Sequence, residues 1–412
     1  MRVDRWRHSL VGIFLVTAVL VASGRADDRT AAPVLRVGTS GDYQPFSFRD
    51  SSGALTGFDV AVAQRLGQDL GRPVTIVLFR WPDLVPQLRA DGFDIAMSGV
   101  TIQADRAVDA VFSRPYAIDG AVAVIRRGDQ QRWRRVDDLD RPGTRIAVNA
   151  GGHLEQVARR RFVHARVTAV ADNTELPKLL RRGETDAVVS DQLEARAWPA
   201  HEVSTIGPFT HDRKAYALPR LSTDLLARVD DWLAAREADG WLNQQRRQWF
   251  GAEATLTEEQ ACVEALVATI ELRLQLMPSV AAVKRREHLA VEDPAQEARV
   301  IERARAAAAT AGLNADDVAA LFRVQMEAAK AVERQAPIVL VRADVSLDQL
   351  RSAIATASNG LIAELARCRG RLHGRRATMQ LDAAVQRTLM ATGLPPSLGG
   401  RLVAALQHVR NS

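Results

Sequence analysis

Cysteine is nearly absent from this sequence: 412 residues hold two, Cys262 and Cys368, both in the C-terminal half. One disulfide is therefore the most the chain can form, and two cysteines on packed helices serve equally well as plain core residues. No cysteine lies near the apolar segment at the N-terminus, which argues against a lipid anchor there. Long apolar runs are scarce too, and residues 10–22 fall short of the about 20 that a spanning helix needs. Aromatic residues make up 5% of the chain and are not interleaved with its arginines, which counts against a nucleic-acid surface. With 47% hydrophobic and 25% charged residues, the composition is that of neither a disordered nor a membrane-embedded chain.

What is present begins with Arg2, Arg5 and Arg7, then the apolar run, then the small residues Gly24 and Ala26. That order reads as a secretory signal over residues 1–26, cleaved after Ala26, with an uncleaved anchor as the alternative. The mature protein is then expected in the periplasm or outside the cell, free of the membrane. A net charge of +6 and a pI of about 9.8 admit nucleic acid, anionic membrane or anionic metabolites as partners. Arginines spread over the whole length favour metabolites and no nucleic acid. The length suggests two or three folding units.

From residue 34 to about 250, short β-branched runs alternate with helical stretches: 34–38, 58–70, 74–78, 81–90 and 95–98, then 145–149, 153–160, 167–170, 175–181 and 187–190. Two such series imply an α/β domain of two lobes with parallel strands. The segments 121–125 and 214–218 carry the chain across and back, so lobe 2 spans about 125–214, and a helix at 223–237 completes lobe 1. After Gly251 glycine thins and alanine rises, with helical periodicities at 258–284, 294–311, 315–335 and 347–369. An all-helical domain over 255–412 is expected, behind a linker at 251–256 and with two further helices in its last forty residues.

Three segments of the first half carry a specific pattern: Gly41-Asp42-Tyr43-Gln44-Pro45-Phe46-Ser47, Gly57-Phe58-Asp59-Val60, and Phe93-Asp94-Ile95-Ala96-Met97-Ser98-Gly99 with Thr101, Arg106 and Phe112-Ser113-Arg114-Pro115-Tyr116. They resemble the periplasmic binding proteins for polar amino acids. The resemblance implies that Gly99, Thr101 and Arg106 hold a ligand carboxylate, with a turn that opens a helix offering free amides and Arg106 a bidentate fork. In lobe 2, Ile146-Ala147-Val148-Asn149-Ala150-Gly151-Gly152 and Thr185-Asp186-Ala187-Val188-Val189-Ser190-Asp191-Gln192-Leu193-Glu194 resemble the cyclohexadienyl dehydratases, catalytic relatives of those receptors. That resemblance implies Glu194 as general acid, Asn149 as its catalytic partner, and Tyr43 and Trp81 around a ring-shaped substrate. Gly152 and His153, at the opening of a helix, would take a second carboxylate. In a receptor, Asp191 would instead pair with a ligand ammonium. The chain departs from the pattern at His153-Leu154, where the enzymes continue Thr-Asn.

In the helical half, Arg273 and Lys284 stand eleven residues apart, about three turns, and so share one helix face. With Glu292-Asp293-Pro294-Ala295-Gln296-Glu297, Lys330-Ala331-Val332-Glu333 and Arg351, they resemble the all-helical chorismate mutases, particularly the exported subclass, over roughly 258–370. The resemblance implies that Arg273 and Arg351 bind carboxylates, that Lys284 and a protonated Glu333 meet the breaking ether oxygen, and that Glu297 and Asp293 contact substrate. Gln296, where the family carries Arg, and Ala329, where it carries Thr or Asn, depart from it. The two halves together imply an exported bifunctional enzyme taking chorismate through prephenate to phenylpyruvate, or arogenate to phenylalanine, with no cofactor and no metal. The alternatives are an amino-acid receptor fused to a non-catalytic helical domain, and a dehydratase carrying an inactive mutase remnant. Oligomeric state is left open.

Overall fold

In residues 33–337 and 341–411, which the computed structural model describes, the two sequence periodicities separate into an α/β half and a helical half. The signal expected over residues 1–26 lies outside the described residues. Lobe 1 comprises β1 (Leu35–Thr39), a small ribbon of β2 (Asp42–Tyr43), β3 (Ser47–Arg49) and β4 (Leu55–Thr56), then α1 (Phe58–Leu70), β5 (Val74–Leu78), α2 (Leu84–Arg89), β6 (Ile95–Ala96) and β7 (Ala110–Phe112). The chain leaves through β8 (Ala117–Asp119) and β9 (Ala121–Arg126) into lobe 2. That lobe holds β10 (Arg145–Asn149), α3 (His153–Arg161), β11 (Arg166–Val170), α4 (Leu176–Arg181), β12 (Ala187–Asp191), α5 (Gln192–Ala195) and β13 (Val203–Ile206). It returns through β14 (Asp212–Lys214) and β15 (Ala217–Pro219), and α6 (Thr223–Ala238) and α7 (Trp241–Phe250) complete lobe 1.

Each lobe is built on a five-stranded sheet, in order β5-β1-β6-β15-β7 and β11-β10-β12-β9-β13. The expected parallel pairing holds for β5-β1-β6 and β11-β10-β12, and two strands run against it. β9 runs antiparallel to β12 and β13, and β15 antiparallel to β6 and β7. Two crossings between lobes are the cause: the strand that enters a lobe and the strand that leaves it join the sheet against its βαβ direction. The crossing strands β8 and β14 pair antiparallel, Asp119 opposite Asp212 and Ala117 opposite Lys214, and form the connector beneath the cleft. The helix expected at 81–90 is split, because Pro82 and Pro86 lack N–H donors and a 3₁₀ turn at Trp81–Asp83 precedes α2.

The helical half contains α8 (Glu258–Arg286), α9 (Pro294–Thr310), α10 (Ala315–Gln335), α11 (Leu347–Arg367), α12 (Arg375–Ala391) and α13 (Pro396–His408). Their starts are written in the sequence. Thr257 and Gln260 form a capping box on α8, Ser346 and Gln349 another on α11, while Asp293 and Asn314 cap α9 and α10. α8 packs against α10, α11 and α12 and carries the longest buried apolar stripe.

The two halves share a wall. Ala107 and Val108 of lobe 1 sit within the helical core, and Arg213 on β14 donates to Glu264 of α8 at 2.7 Å and also meets Glu271. Burial works against the Glu264 carboxylate, yet His211 and Arg213 pull its pKa down to about 2.

Cys262 and Cys368 are joined in a disulfide, Cα atoms 5.6 Å apart, tying the first turn of α8 to the end of α11 across 106 residues. Cys262→Ala with Cys368→Ala is expected to lower the unfolding free energy by about 2–4 kcal/mol, measured by urea unfolding with and without reductant. A wild-type protein equally stable under both conditions contradicts a formed crosslink.

Candidate active sites

The interlobe cleft is closed. Its remaining space is about 30 Å³, lined by Tyr43, Trp81, Gly99, Thr101 and Arg106 from lobe 1, Asn149, Gly152, His153, Leu154, Asn173 and Asp191 from lobe 2, and Lys214 from the connector. Among the described residues, four buried polar atoms of its lining have no hydrogen-bond partner: Trp81 Nε1, Asn149 Oδ1, Asp191 Oδ1 and His153 Nε2, the last lying only in ion-pair range of Asp212. Lobe 2 touches lobe 1 directly. Gly151, at φ 74°, lies so close that a Cβ there would meet Pro82 at 2.7 Å, and Asn173 donates to the Asp42 carbonyl at 3.2 Å. A void of this size holds a water rather than a ring, so substrate entry requires the lobes to part about the connector.

Glu194 opens α5 beneath the cleft and is 5% exposed. Its two oxygens accept from Asn173 Nδ2 and Ser190 Oγ, each at 2.5 Å. Burial, reinforced by the Asp191 and Asp42 carboxylates, pushes its pKa up to about 8 against those two hydrogen bonds. The side chain therefore carries a proton at neutral pH. Asn173 spans Glu194 and the Asp42 carbonyl, so the acid is tied to lobe closure. Sequence reading missed Asn173, because an Asn in an Asp-Asn-Thr turn looks like ordinary loop chemistry.

Arg106 is 6% exposed, and its guanidinium finds only the Thr101 carbonyl, at 3.4 Å. Burial pushes it below the usual arginine range. The helix expected to open after Gly99 does not form: Thr101 makes an isolated bridge with Lys214, and residues 104–109 are turns. Gly99 holds φ 63°, which ends β6 early, and a Cβ there would meet the Tyr43 ring at 2.8 Å. Its amide donates to Asp59 at 2.6 Å, and Asp59 is also gripped by Tyr116 and Tyr216. Free amide donation at this turn is thus smaller than the sequence implies, which leaves the Arg106 guanidinium as the cationic group on this side of the cleft.

Two other expected contacts are engaged within the protein. His153 Nε2 lies 3.0 Å from the Asp212 carboxylate, and Nδ1 contacts Gln103. Asp191 is held by Lys214 Nζ at 2.6 Å, both side chains 1% exposed. Lys214 also reaches Thr101 Oγ1 at 3.0 Å and was missed as a site residue. The signal was present: Asp212, Arg213 and Lys214 place three charges in succession on a crossing strand, which is costly unless they serve a site or an interface.

The second site is a cavity of about 410 Å³ among α8, α9, α10 and α11. Arg273, Lys284, Asp293, Glu297, Glu333 and Arg351, all named from the sequence, line it, and so do Gln296 and Ala329. Arg273 is 5% exposed, lies 4.9 Å over the Phe322 ring and contacts the Ser358 hydroxyl. Among the described residues no carboxylate pairs with it, and burial pushes its pKa down to about 10. Lys284 donates to Glu333 at 2.9 Å and to the Val291 carbonyl at 2.8 Å. Burial raises the Glu333 pKa above its usual value despite Lys284. Asp293 is occupied twice, capping α9 through the Gln296 amide and accepting from Arg351 at 3.0 Å, so it positions Arg351. Glu297 pairs with Lys330, a cation that the sequence reading did not select.

Residues 35–252 match the bacterial extracellular solute-binding proteins, family 3, and the chain belongs to that family. Residues 261–334 match chorismate mutase type II. Cyclohexadienyl dehydratase of Pseudomonas aeruginosa is 37% identical over 57% of this chain and 90% of its own length. The L-cystine-binding protein TcyJ of Escherichia coli is 31% identical over 60% and 97%. A solved ancestral amino acid-binding protein, a precursor of cyclohexadienyl dehydratase, superposes with a TM-score of 0.51 at 33% identity, covering 53% of this chain and 95% of its own. The particular combination is a cyclohexadienyl dehydratase homologue fused to a type II chorismate mutase domain.

Because folded Glu194 keeps a proton that an unfolded chain releases, its burial costs stability as pH rises from its ordinary 4.5 towards about 8. Glu194→Gln is expected to lose less stability than wild type between about pH 5 and about pH 8, by urea unfolding at each pH. Equal losses contradict the protonated acid.

Proposed function

We propose that the chain catalyses two consecutive steps of phenylalanine biosynthesis outside the cytoplasm, chorismate to prephenate in the helical half and prephenate or arogenate to the aromatic product in the cleft. The observation that carries the reading is shared by both sites: each holds a buried arginine, Arg106 or Arg273, that among the described residues hydrogen-bonds to no carboxylate, with only the charge of Asp105 acting on Arg106. Both chorismate and prephenate are dianions. Each enzyme name belongs to a relative of one half, and the product of the first reaction is the substrate of the second.

In the mutase half the rearrangement breaks an ether C–O bond as a C–C bond forms, and negative charge gathers on the ether oxygen. Lys284 and protonated Glu333 donate to that oxygen, while Arg273 and Arg351 hold the two carboxylates. Glu297 takes the ring hydroxyl. No nucleophile is required. Gln296 and Ala329 line this cavity in place of more polar family residues, so weaker substrate binding than in the family is expected.

In the cleft, Arg106 binds one carboxylate, and the amides at Gly152 and His153, where α3 opens, receive the other. Closure brings Tyr43 and Trp81 around the ring. Glu194 donates its proton to the departing hydroxyl as water forms, and the C–C bond to the ring carboxylate releases carbon dioxide, its electron pair completing the aromatic ring. Asn149, whose Oδ1 is unpartnered, orients the leaving hydroxyl. The similarity to amino-acid receptors favours a second reading, transport of an amino acid. That reading assigns Asp191 to the ligand ammonium, whereas Asp191 is already neutralised by Lys214.

Glu194→Gln is expected to lower prephenate turnover by about 10²–10⁴-fold and spare chorismate turnover. Lys284→Ala is expected to lower chorismate turnover by about 10²–10³-fold and spare prephenate turnover. Loss of both activities from either substitution contradicts two separate sites. For the cleft reaction, kcat/KM should hold level through neutral pH and fall as Glu194 deprotonates near its pKa of about 8. A rate that climbs through that pH contradicts Glu194 as the acid.

A further inference from the structure

A third cavity, of about 250 Å³, lies between the halves, walled by lobe 1 and α6 on one side and by α8 and α11 on the other. It is distinct from both active sites, although Asn359 borders it and the mutase cavity alike. Most of its lining is apolar, with Val111, Phe112, Leu226 and Leu272 among alanines. One end is charged. Arg114, whose side chain is 5% exposed, lines that end, and among the described residues its guanidinium makes no hydrogen bond, only a loose contact with Glu364 at 3.7 Å.

The contrast with Arg246 shows what Arg114 lacks. Arg246 is fully buried and satisfied, with two bonds to Glu237 at 2.6 and 2.7 Å and a third to the Tyr116 carbonyl at 2.8 Å. Arg114 has five N–H donors, a cavity in front of them, and no partner at bonding distance. Glu364 is drawn away by Arg367, which donates to it at 3.0 Å. Beside them Asp230 accepts the Arg114 backbone amide at 2.7 Å, and burial together with the Glu364 carboxylate pushes its pKa up to about 7. A guanidinium that makes no hydrogen bond, two buried carboxylates only partly offset by it and by Arg367, and an apolar chamber thus meet in one place.

We propose that this cavity binds an α-amino acid with an apolar side chain, its carboxylate on Arg114, its ammonium between Asp230 and Glu364, and its side chain in the apolar chamber. The carboxylate fills the donors that Arg114 leaves open, and the ammonium relieves the repulsion between the two acids. Such a ligand touches both halves of the chain, so its binding stabilises their association. The assignment does not depend on either half being catalytically active.

The test is calorimetric titration of the full chain with L-phenylalanine and L-leucine, and then with 3-phenylpropanoate and phenethylamine, which lack the ammonium and the carboxylate respectively. At least one of the two amino acids is expected to bind, at least tenfold more tightly than either truncated probe. Arg114→Gln should weaken that binding at least tenfold. Ala227→Trp, an exposed residue at the cavity rim, should block it while leaving both turnovers intact. Arg106→Gln and Arg273→Gln should leave it unchanged, which separates this cavity from the active sites. Failure of both amino acids to bind overturns the proposal, as does binding that survives both Arg114→Gln and Ala227→Trp, or binding lost with Arg106→Gln or Arg273→Gln.

Discussion

A guanidinium withdrawn from water is costly unless an anion meets it, and the described residues hold two, Arg106 and Arg273, that no protein carboxylate hydrogen-bonds. Arg246 and Lys214 are also buried, but Glu237 and Asp191 neutralise them, and they hold the fold and the connector together. Among the described residues, Arg106 and Arg273 hydrogen-bond only to a backbone carbonyl and a hydroxyl, and Arg273 also lies over the Phe322 ring. Their stability cost is tolerable because the surrounding elements are over-determined by packing, and it is relieved when an anionic substrate arrives. In both halves the arginine lines a cavity, and in the proposed function that is where a substrate carboxylate would meet it.

The two halves reach this condition by different routes. In the α/β half, the crossing strands β8 and β14 connect the lobes, and Asn173, which already holds Glu194 within lobe 2, reaches the Asp42 carbonyl of lobe 1 across the closed cleft. The helical half needs no parting of lobes for its own cavity, about 410 Å³ among four helices. There the caps do the positioning: Asp293 both starts α9 and fixes Arg351 on α11. The disulfide between α8 and α11 constrains the same helix pair from its other end.

Much of this was legible in the sequence, because period and caps are local signals. The α10 span of Ala315–Gln335 matches its periodicity to the residue, and the last forty residues do hold two helices. The charged residues that line the mutase cavity, and Glu194, were named in the sequence through resemblance to the two enzyme families, not by a local pattern. What was not legible depends on closure and crossing. Strand direction for β9 and β15, the Lys214–Asp191 pair and the Asn173 bridge are set by how two lobes meet, and no local pattern encodes that. His153 looked like a free donor in the sequence and is tied to Asp212 for the same reason.

The central claim is that one chain performs both steps. The most direct measurement is a time course of purified full-length protein with chorismate alone, following chorismate, prephenate and phenylpyruvate together by NMR. The account predicts that chorismate falls, prephenate rises and then declines, and phenylpyruvate accumulates with an equal amount of carbon dioxide. Chorismate and added prephenate both left unchanged would contradict it.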